Sequence, residues 1–299
     1  MRRQKNNLTN ARRGFSLIEL MVVIVIIAIL MALILPAISG ARQRARIAQV
    51  SAEVTQLDNA IAKFKSVYNL EPPSSLYIPA VGGTWGAADR SKVRSIWPQF
   101  NFATNGGLSI PTRAAVKTGD IHLSGAECLV FFLGGIENTQ SDPPVVLGFS
   151  KDPQSPWNPA GTNREGPFFE FDNSRFTDLD GDGILEFADP LPDQQTPYMY
   201  LSSQGRNYKR TNAAGSTLAE QDDYDVHGGN SNTKDLQAVY LKTAAPVQAH
   251  RPDSYQIISP GPDATYGLGG VYKDGSELTN ARTVEADNIT NFSGGQLKP

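Results

Sequence analysis

One short stretch of the chain has residue types and spacing suited to chemistry. In Asp178-Leu179-Asp180-Gly181-Asp182-Gly183-Ile184-Leu185-Glu186-Phe187-Ala188-Asp189, carboxylates stand at the first, third and fifth positions and a glycine at the sixth. Alternating carboxylates on a tight turn converge their oxygens, and the glycine permits the bend. This is the pattern of a loop that wraps a hard cation needing 6–8 oxygen ligands. Calcium is the expected ion, in a structural role. Asp178, Asp180 and Asp182 would supply carboxylates and Ile184 its carbonyl. Glu186 would fill the ninth position, directly or through water, and Asp189 the twelfth, where an aspartate reaches less far than a glutamate. The flanking residues look extended before the loop and proline-rich after it, so this reads as an isolated loop and not as one of a helix-flanked pair. Asp-Gly-Asp-Gly is also ordinary turn chemistry, and an acidic surface turn stands as the alternative.

Other reactive constellations are missing. His122, His227 and His250 are isolated, and neither His-x-x-x-His nor Cys-x-x-Cys occurs. There is no Gly-x-Ser-x-Gly and no phosphate-binding Gly-x-x-x-x-Gly-Lys signature. Gly267-Leu268-Gly269-Gly270 reads as a turn. The single cysteine, Cys128, lies in the apolar segment Ala126–Leu133, so it reads as a buried, inert thiol, and no disulfide can form within the chain. With no catalytic set in view, the expectation is a protein that is not an enzyme.

The elements that must position the loop begin at the N-terminus. Arg2, Arg3, Lys5, Arg12 and Arg13 precede Gly14 with no acid among them. From Phe15 to Leu35 the chain is apolar and uncharged except at Glu19, long enough for one bilayer crossing at about 20 residues per span. A basic flank stays in the cytoplasm, which puts the larger C-terminal part outside. Glu19 is costly there, about 2.5–3.5 kcal/mol near a bilayer centre and less toward its edge, so it calls for a compensating cation. An ordinary secretory signal predicts no acid in its apolar core, and a plain uncleaved anchor would carry Glu19 by chance. The net charge of −3 hides the basic leader, so the rest of the chain is the more acidic part and gives no reason to expect nucleic-acid binding.

Pro36 follows the apolar run and can kink or locally open a helix. Arg42, Arg44 and Arg46 come next. They fit a solvated collar at the membrane exit, or contact with acidic lipid or neighbouring subunits. Ile47, Val50, Val54, Leu57, Ile61, Phe64 and Tyr68 then step by alternating threes and fours, one stripe of a helix. A helix from Phe15 to Tyr68 would measure about 80 Å at 1.5 Å per residue. Glu71-Pro72-Pro73 ends it.

Beyond the helix, 27 glycines and 20 prolines in 299 residues announce turns and long loops. Residues 71–165 read as a loop-rich insertion with buried anchors at Trp85, Trp97, Phe100 and Phe102. Its one helix is Ser124–Gly134, opened by a Ser124/Glu127 capping-box spacing. Short strands are expected at Val145–Phe149, Pro167–Phe171, Tyr198–Leu201, Ala238–Lys242 and Tyr255–Ile258, and a polar surface loop at Asn207–Asp235. Residues 166–299 thus form a β-rich domain carrying the cation loop.

The order Arg13-Gly14-Phe15-Ser16-Leu17-Ile18-Glu19 resembles the class III signal of type IV pilins and type II secretion pseudopilins. The resemblance implies a prepilin peptidase cutting between Gly14 and Phe15, methylation of the new Phe15 amine, and Glu19 as the fifth mature residue. In a helical filament the Phe15 amine of one subunit would neutralise Glu19 of the next. Shorter matches follow. Gly166-Pro167-Phe168-Phe169, Asp189-Pro190 with Thr196-Pro197-Tyr198-Met199-Tyr200, Ser259-Pro260-Gly261-Pro262-Asp263 and Ala286-Asp287-Asn288-Ile289 resemble motifs of the major pseudopilins. That family binds calcium in its C-terminal loop, which implies a second possible metal site at Asp263 and Asp287.

The resemblance therefore implies an α+β fold. A long N-terminal helix, transmembrane to about residue 35 and amphipathic to about residue 70, packs on a small antiparallel sheet with long loops, behind a cleaved leader of residues 1–14. It implies a single-pass inner-membrane protein with its C-terminal domain outside, assembled with copies of itself and other pseudopilins by an inner-membrane platform. A calcium-dependent adhesion module displayed at a pilus tip or cell surface is the alternative.

Overall fold

The computed structural model describes residues 15–108, 119–138, 141, 143–203, 208, 236 and 238–297. The leader with Gly14, and the polar segment 207–235 except Tyr208, lie outside the described residues. The chain divides into two compact units, Met1–Ala45 and Arg46–Pro299.

Helix α1 (Leu17–Tyr68) begins in the first unit. Its apolar side chains there, Ile18, Leu20, Val22 and Ile29 among them, are exposed, and the helix is long and apolar enough to cross a membrane. It continues through Pro36.

In the second unit the predicted stripe is the spine of the core. Val50, Leu57 and Phe64 are fully buried, with Val54 and Ile61 nearly so, and Ile47 and Tyr68 pack at its ends. The elements that cover it follow in chain order: β1 (Leu76–Ile78), α2 (Ala87–Ile96), β2 (Ile121–Leu123), α3 (Gly125–Gly134), β3 (Phe149–Ser150), β4 (Arg164–Glu165), β5 (Phe176–Thr177), β6 (Glu186–Phe187), β7 (Met199–Ser202), β8 (Tyr240–Ala244), β9 (Val247–Ala249), β10 (Tyr255–Ser259), β11 (Gly270–Val271) and β12 (Ile289–Thr290). The fold is α+β.

The principal sheet runs β12-β10-β7, antiparallel, with Tyr255 opposite Ser202 and Ile258 opposite Met199. The two-residue period of a strand sends alternate side chains to opposite faces. Tyr198, Tyr200 and Ile257 join the core that contains the α1 stripe, whereas Met199, Leu201 and Ile258 join a second core with Tyr240, Tyr266 and Leu297. That second core is closed by β8, β9 and β11, where β11 runs parallel to β8. The sheet is held to α1 by hydroxyls: Tyr198 donates to Glu53 at 2.7 Å and Tyr200 to the Pro72 carbonyl at 2.7 Å.

Segment 71–165 packs directly on the spine. Phe132 meets Phe64 edge-on at 5.9 Å and Trp97 meets Tyr68 at 5.7 Å. Helix α3 forms as its capping box predicts. Two expectations are corrected. Helix α2 forms where the sequence suggests loop with short elements. It buries only Val93 and Ile96 and has no side-chain cap, so its periodic signal is thin. Pro167–Phe171 is not a strand. The Phe168 and Phe169 amides both donate to the Leu133 carbonyl at the end of α3, and Phe168 meets Phe64 edge-on at 5.4 Å. Alternating apolar residues there serve a helix terminus, not a ladder.

Arg175, just before β5, ties the loop-bearing hairpin to α1. Its guanidinium donates to both Glu53 oxygens at 2.8 and 2.7 Å and to the Ala188 carbonyl, and it lies 4.1 Å over the Phe187 ring. Both partners are mostly buried, so removing one strands the other charge. Arg175→Ala is expected to cost about 3 kcal/mol, read as a lowered denaturant midpoint of the full chain in detergent. An unchanged midpoint would show that the pair contributes nothing.

Candidate functional site

The residues of the cation pattern form the turn of a hairpin. β5 pairs antiparallel with β6, Phe176 opposite Phe187 and Thr177 opposite Glu186, so the loop is flanked by strands. Gly183 adopts φ 92° and Gly181 φ 74°, the left-handed region that glycine tolerates. The loop is tightened by its own aspartates. Asp178 accepts from the Gly183 amide, Asp180 from Asp182 and Asp182 from Ile184.

The arrangement brings in a residue that the linear pattern did not contain. Glu127, third residue of α3, places a carboxylate oxygen beside those of Asp180 and Asp182, all three within 4.8 Å of one another. Glu127 is 2% exposed. Its Oε2 accepts from the Ser124 amide at 2.6 Å and completes the capping box. Its Oε1 is buried and accepts no hydrogen bond. Glu186 is also buried, one oxygen accepting from the Leu179 amide. Burial, and then the neighbouring carboxylates, push Glu127 well above the ordinary carboxylate range. Glu186 and Asp182 are raised chiefly by burial. The cluster thus runs from the buried Glu127 through the half-buried Asp182 to the exposed Asp180, and its buried members favour a proton or a cation.

Asp189 faces elsewhere. One oxygen accepts from the Ser259 hydroxyl and the other from the Leu191 amide, joining the end of the hairpin to β10. The second family-implied pair is adjacent: Asp287 accepts from the Asp263 amide at 3.2 Å. Gly261 lets the chain pass there, since a Cβ at that position would press on Asp287. Burial, followed by the charge of Asp263, raises Asp287 to about 6. Gly267 and Gly269 form no phosphate cradle. The Leu268 and Gly269 amides donate to Glu285, which Arg282 pairs.

At the N-terminus, Phe15 is exposed and Glu19 opens α1. The Ser16 and Glu19 amides exchange hydrogen bonds with each other's side chains at 3.3 and 3.2 Å, a second capping box. The Ser-x-x-Glu spacing of Ser16 and Glu19 is itself the sequence signal for this cap.

With this geometry in view, comparison with known proteins places the chain's first segment. Residues 9–35 match the prokaryotic N-terminal methylation motif. The chain's N-terminal segment is thus of the prepilin type. It is similar to the type II secretion system core protein G of Escherichia coli (strain K12), 39% identical over 57 residues, which is 19% of this chain and 39% of that relative. No solved structure matches the chain.

Asp189 supplies a pH test. Burial raises its carboxyl to about 6, above the unfolded value near 3.9. The folded state therefore holds its proton to higher pH than the unfolded chain does. Stability from this group is full below about pH 4 and is lost as pH rises through about 6, worth about 2–3 kcal/mol. In chelator, the chain is expected to melt higher at pH 5 than at pH 7, and Asp189→Asn should flatten that slope. A slope unchanged by the substitution would assign it to other groups.

Proposed function

We propose that this chain is a structural subunit of a pseudopilus in type II protein secretion. It is cut by prepilin peptidase between Gly14 and Phe15, methylated on the new amine, and assembled through α1 with copies of itself and other pseudopilins. The match of residues 9–35 to the methylation motif carries this reading. Glu19 supports it, standing fifth after the proposed cut on a helix whose flanks are otherwise apolar. The basic leader would hold the N-terminus on the cytoplasmic side of the inner membrane, leaving the second unit outside for the assembly platform to add to a filament. Packed among neighbouring helices, Glu19 needs a positive partner, and the Phe15 amine of an adjacent subunit supplies one.

Within the exported unit, we assign calcium to the 178–189 loop as a structural ion. The converging Asp180 and Asp182 carboxylates support that assignment, and weak modules suffice in the millimolar calcium met outside the cell. Asp263 and Asp287 form a candidate second site.

Mass spectrometry of the mature protein is expected to begin at methylated Phe15, and an intact Met1 or a cut elsewhere would overturn the reading. Glu19→Gln keeps the capping box, because glutamine also accepts from the Ser16 amide, but removes the charge. It should leave membrane insertion intact and block filament assembly in cells. Filaments at wild-type level would remove the proposed neutralisation. Chelation is expected to lower the melting temperature of the full chain in detergent by several degrees, roughly what 1–2 kcal/mol brings for a domain of this size. Asp180→Ala should abolish most of that drop.

A further inference from the structure

The calcium reading of the loop rests on residues that follow one another in sequence. The Glu127 carboxylate comes from elsewhere in the chain, lies beside those of Asp180 and Asp182, and has a buried Oε1 that accepts no hydrogen bond. We propose that Glu127 is a ligand of the loop cation, so that one hard divalent ion, calcium, is held jointly by the N-terminus of α3 and the β5–β6 hairpin. The inference rests on the loop reading above and extends it from a local turn to a long-range staple.

Three observations carry it. Oxygens bound to one calcium at about 2.3–2.6 Å lie at most about 5 Å from each other, and the Glu127, Asp180 and Asp182 oxygens lie within 4.8 Å. Glu127 is 2% exposed and its Oε1 accepts no hydrogen bond, whereas a buried carboxylate oxygen in a finished site has a partner. The donor set is all oxygen, with no thiolate or imidazole among Glu127, Asp180, Asp182 and Glu186, which favours calcium over a transition metal.

The capping box explains how the ligand is held. Glu127 spends Oε2 on the Ser124 amide, which fixes the rotamer and leaves Oε1 as the oxygen without a partner. The rival is a proton shared between Glu127 and Asp182 with no ion present. Glu127→Gln separates the two. Glutamine serves a capping box as glutamate does and can donate to Asp182, so a proton-sharing site tolerates it. A calcium site loses a charged ligand.

The experiment titrates calcium into the full chain in detergent and follows hydrogen exchange at 125–129 and at 178–187 separately. Reading these two segments locally keeps the Asp263–Asp287 loop out of the measurement. In the wild type, calcium is expected to protect both segments with one shared midpoint. Glu127→Gln is expected to raise that midpoint at least tenfold at 178–187 and to remove the protection at 125–129. Protection of 178–187 alone in the wild type, or a midpoint within twofold for the variant, would overturn the role of Glu127 while leaving the loop as a calcium site. No protection of either segment would overturn both, and so would protection by magnesium equal to that by calcium at the same concentration. Should Glu127→Gln not fold, the wild-type protection pattern decides alone. Asp180→Asn, measured alongside, is expected to raise the midpoint at 178–187 whether or not Glu127 binds.

Discussion

A carboxylate taken out of water must be given a cation, a proton or a set of donors, and this chain meets that constraint at both ends. Glu19 stands in an otherwise apolar stretch, and Glu127 is sealed in the folded unit. Each is the third residue of its helix and closes a capping box, with Ser16 and with Ser124. The box spends one side-chain oxygen on the backbone and leaves the other to be neutralised from outside the helix. At Glu19 the proposed neutraliser is an amine created by cleavage. At Glu127 it is the loop cation. Capping holds each side chain in place before its partner arrives, so the helix start and the charge are set by the same residue.

The rest of the second unit follows from covering one helical stripe. A helix with Val50, Leu57 and Phe64 on one face cannot stay folded alone in water, so β7, β10 and α3 are recruited to it. Aromatic rings fill most of the contact, which suits a surface assembled from many short elements. A ring spans gaps that short strands leave open, and edge-to-face pairs add about 0.5–1.5 kcal/mol beyond their buried area. Hydroxyls of Tyr198 and Tyr200 find partners on or just beyond the helix, so the rings enter the core without a buried unpaired oxygen.

Legibility in the sequence tracked how local the determining interactions are. The stripe from Ile47 to Tyr68 is legible because every contact it makes is imposed by its own period. The start of α3 is legible because Ser124 and Glu127 satisfy each other. β7 and β10 show as short apolar runs between turns. Pro167–Phe171 misleads because its backbone donors go to Leu133, which no local pattern reveals. Helix α2 hides because only Val93 and Ile96 are buried. The aspartates of the loop could be read in order, but Glu127 lies more than fifty residues upstream, and a linear pattern has no place for it. The signal available was indirect: a glutamate in an otherwise apolar helix, assigned wholly to capping.

Glu127, the loop and α1 are mechanically connected through a short path. The loop closes hairpin β5–β6, and Phe187 of that hairpin lies under the Arg175 guanidinium. Arg175 grips Glu53 with two hydrogen bonds, and Tyr198 adds a third to the same carboxylate. An ion that fixes the hairpin against α3 therefore also fixes the group that holds α1. Without it, Glu127, Asp180 and Asp182 crowd their carboxylates together with no cation between them, and the exposed end of the loop at Asp180 is the part free to move outward. On the proposed reading, a cation acquired outside the cell would lock the domain after export. A bound cation would take the place of a disulfide, which the single cysteine, buried and donating to the Leu123 carbonyl, cannot form within the chain.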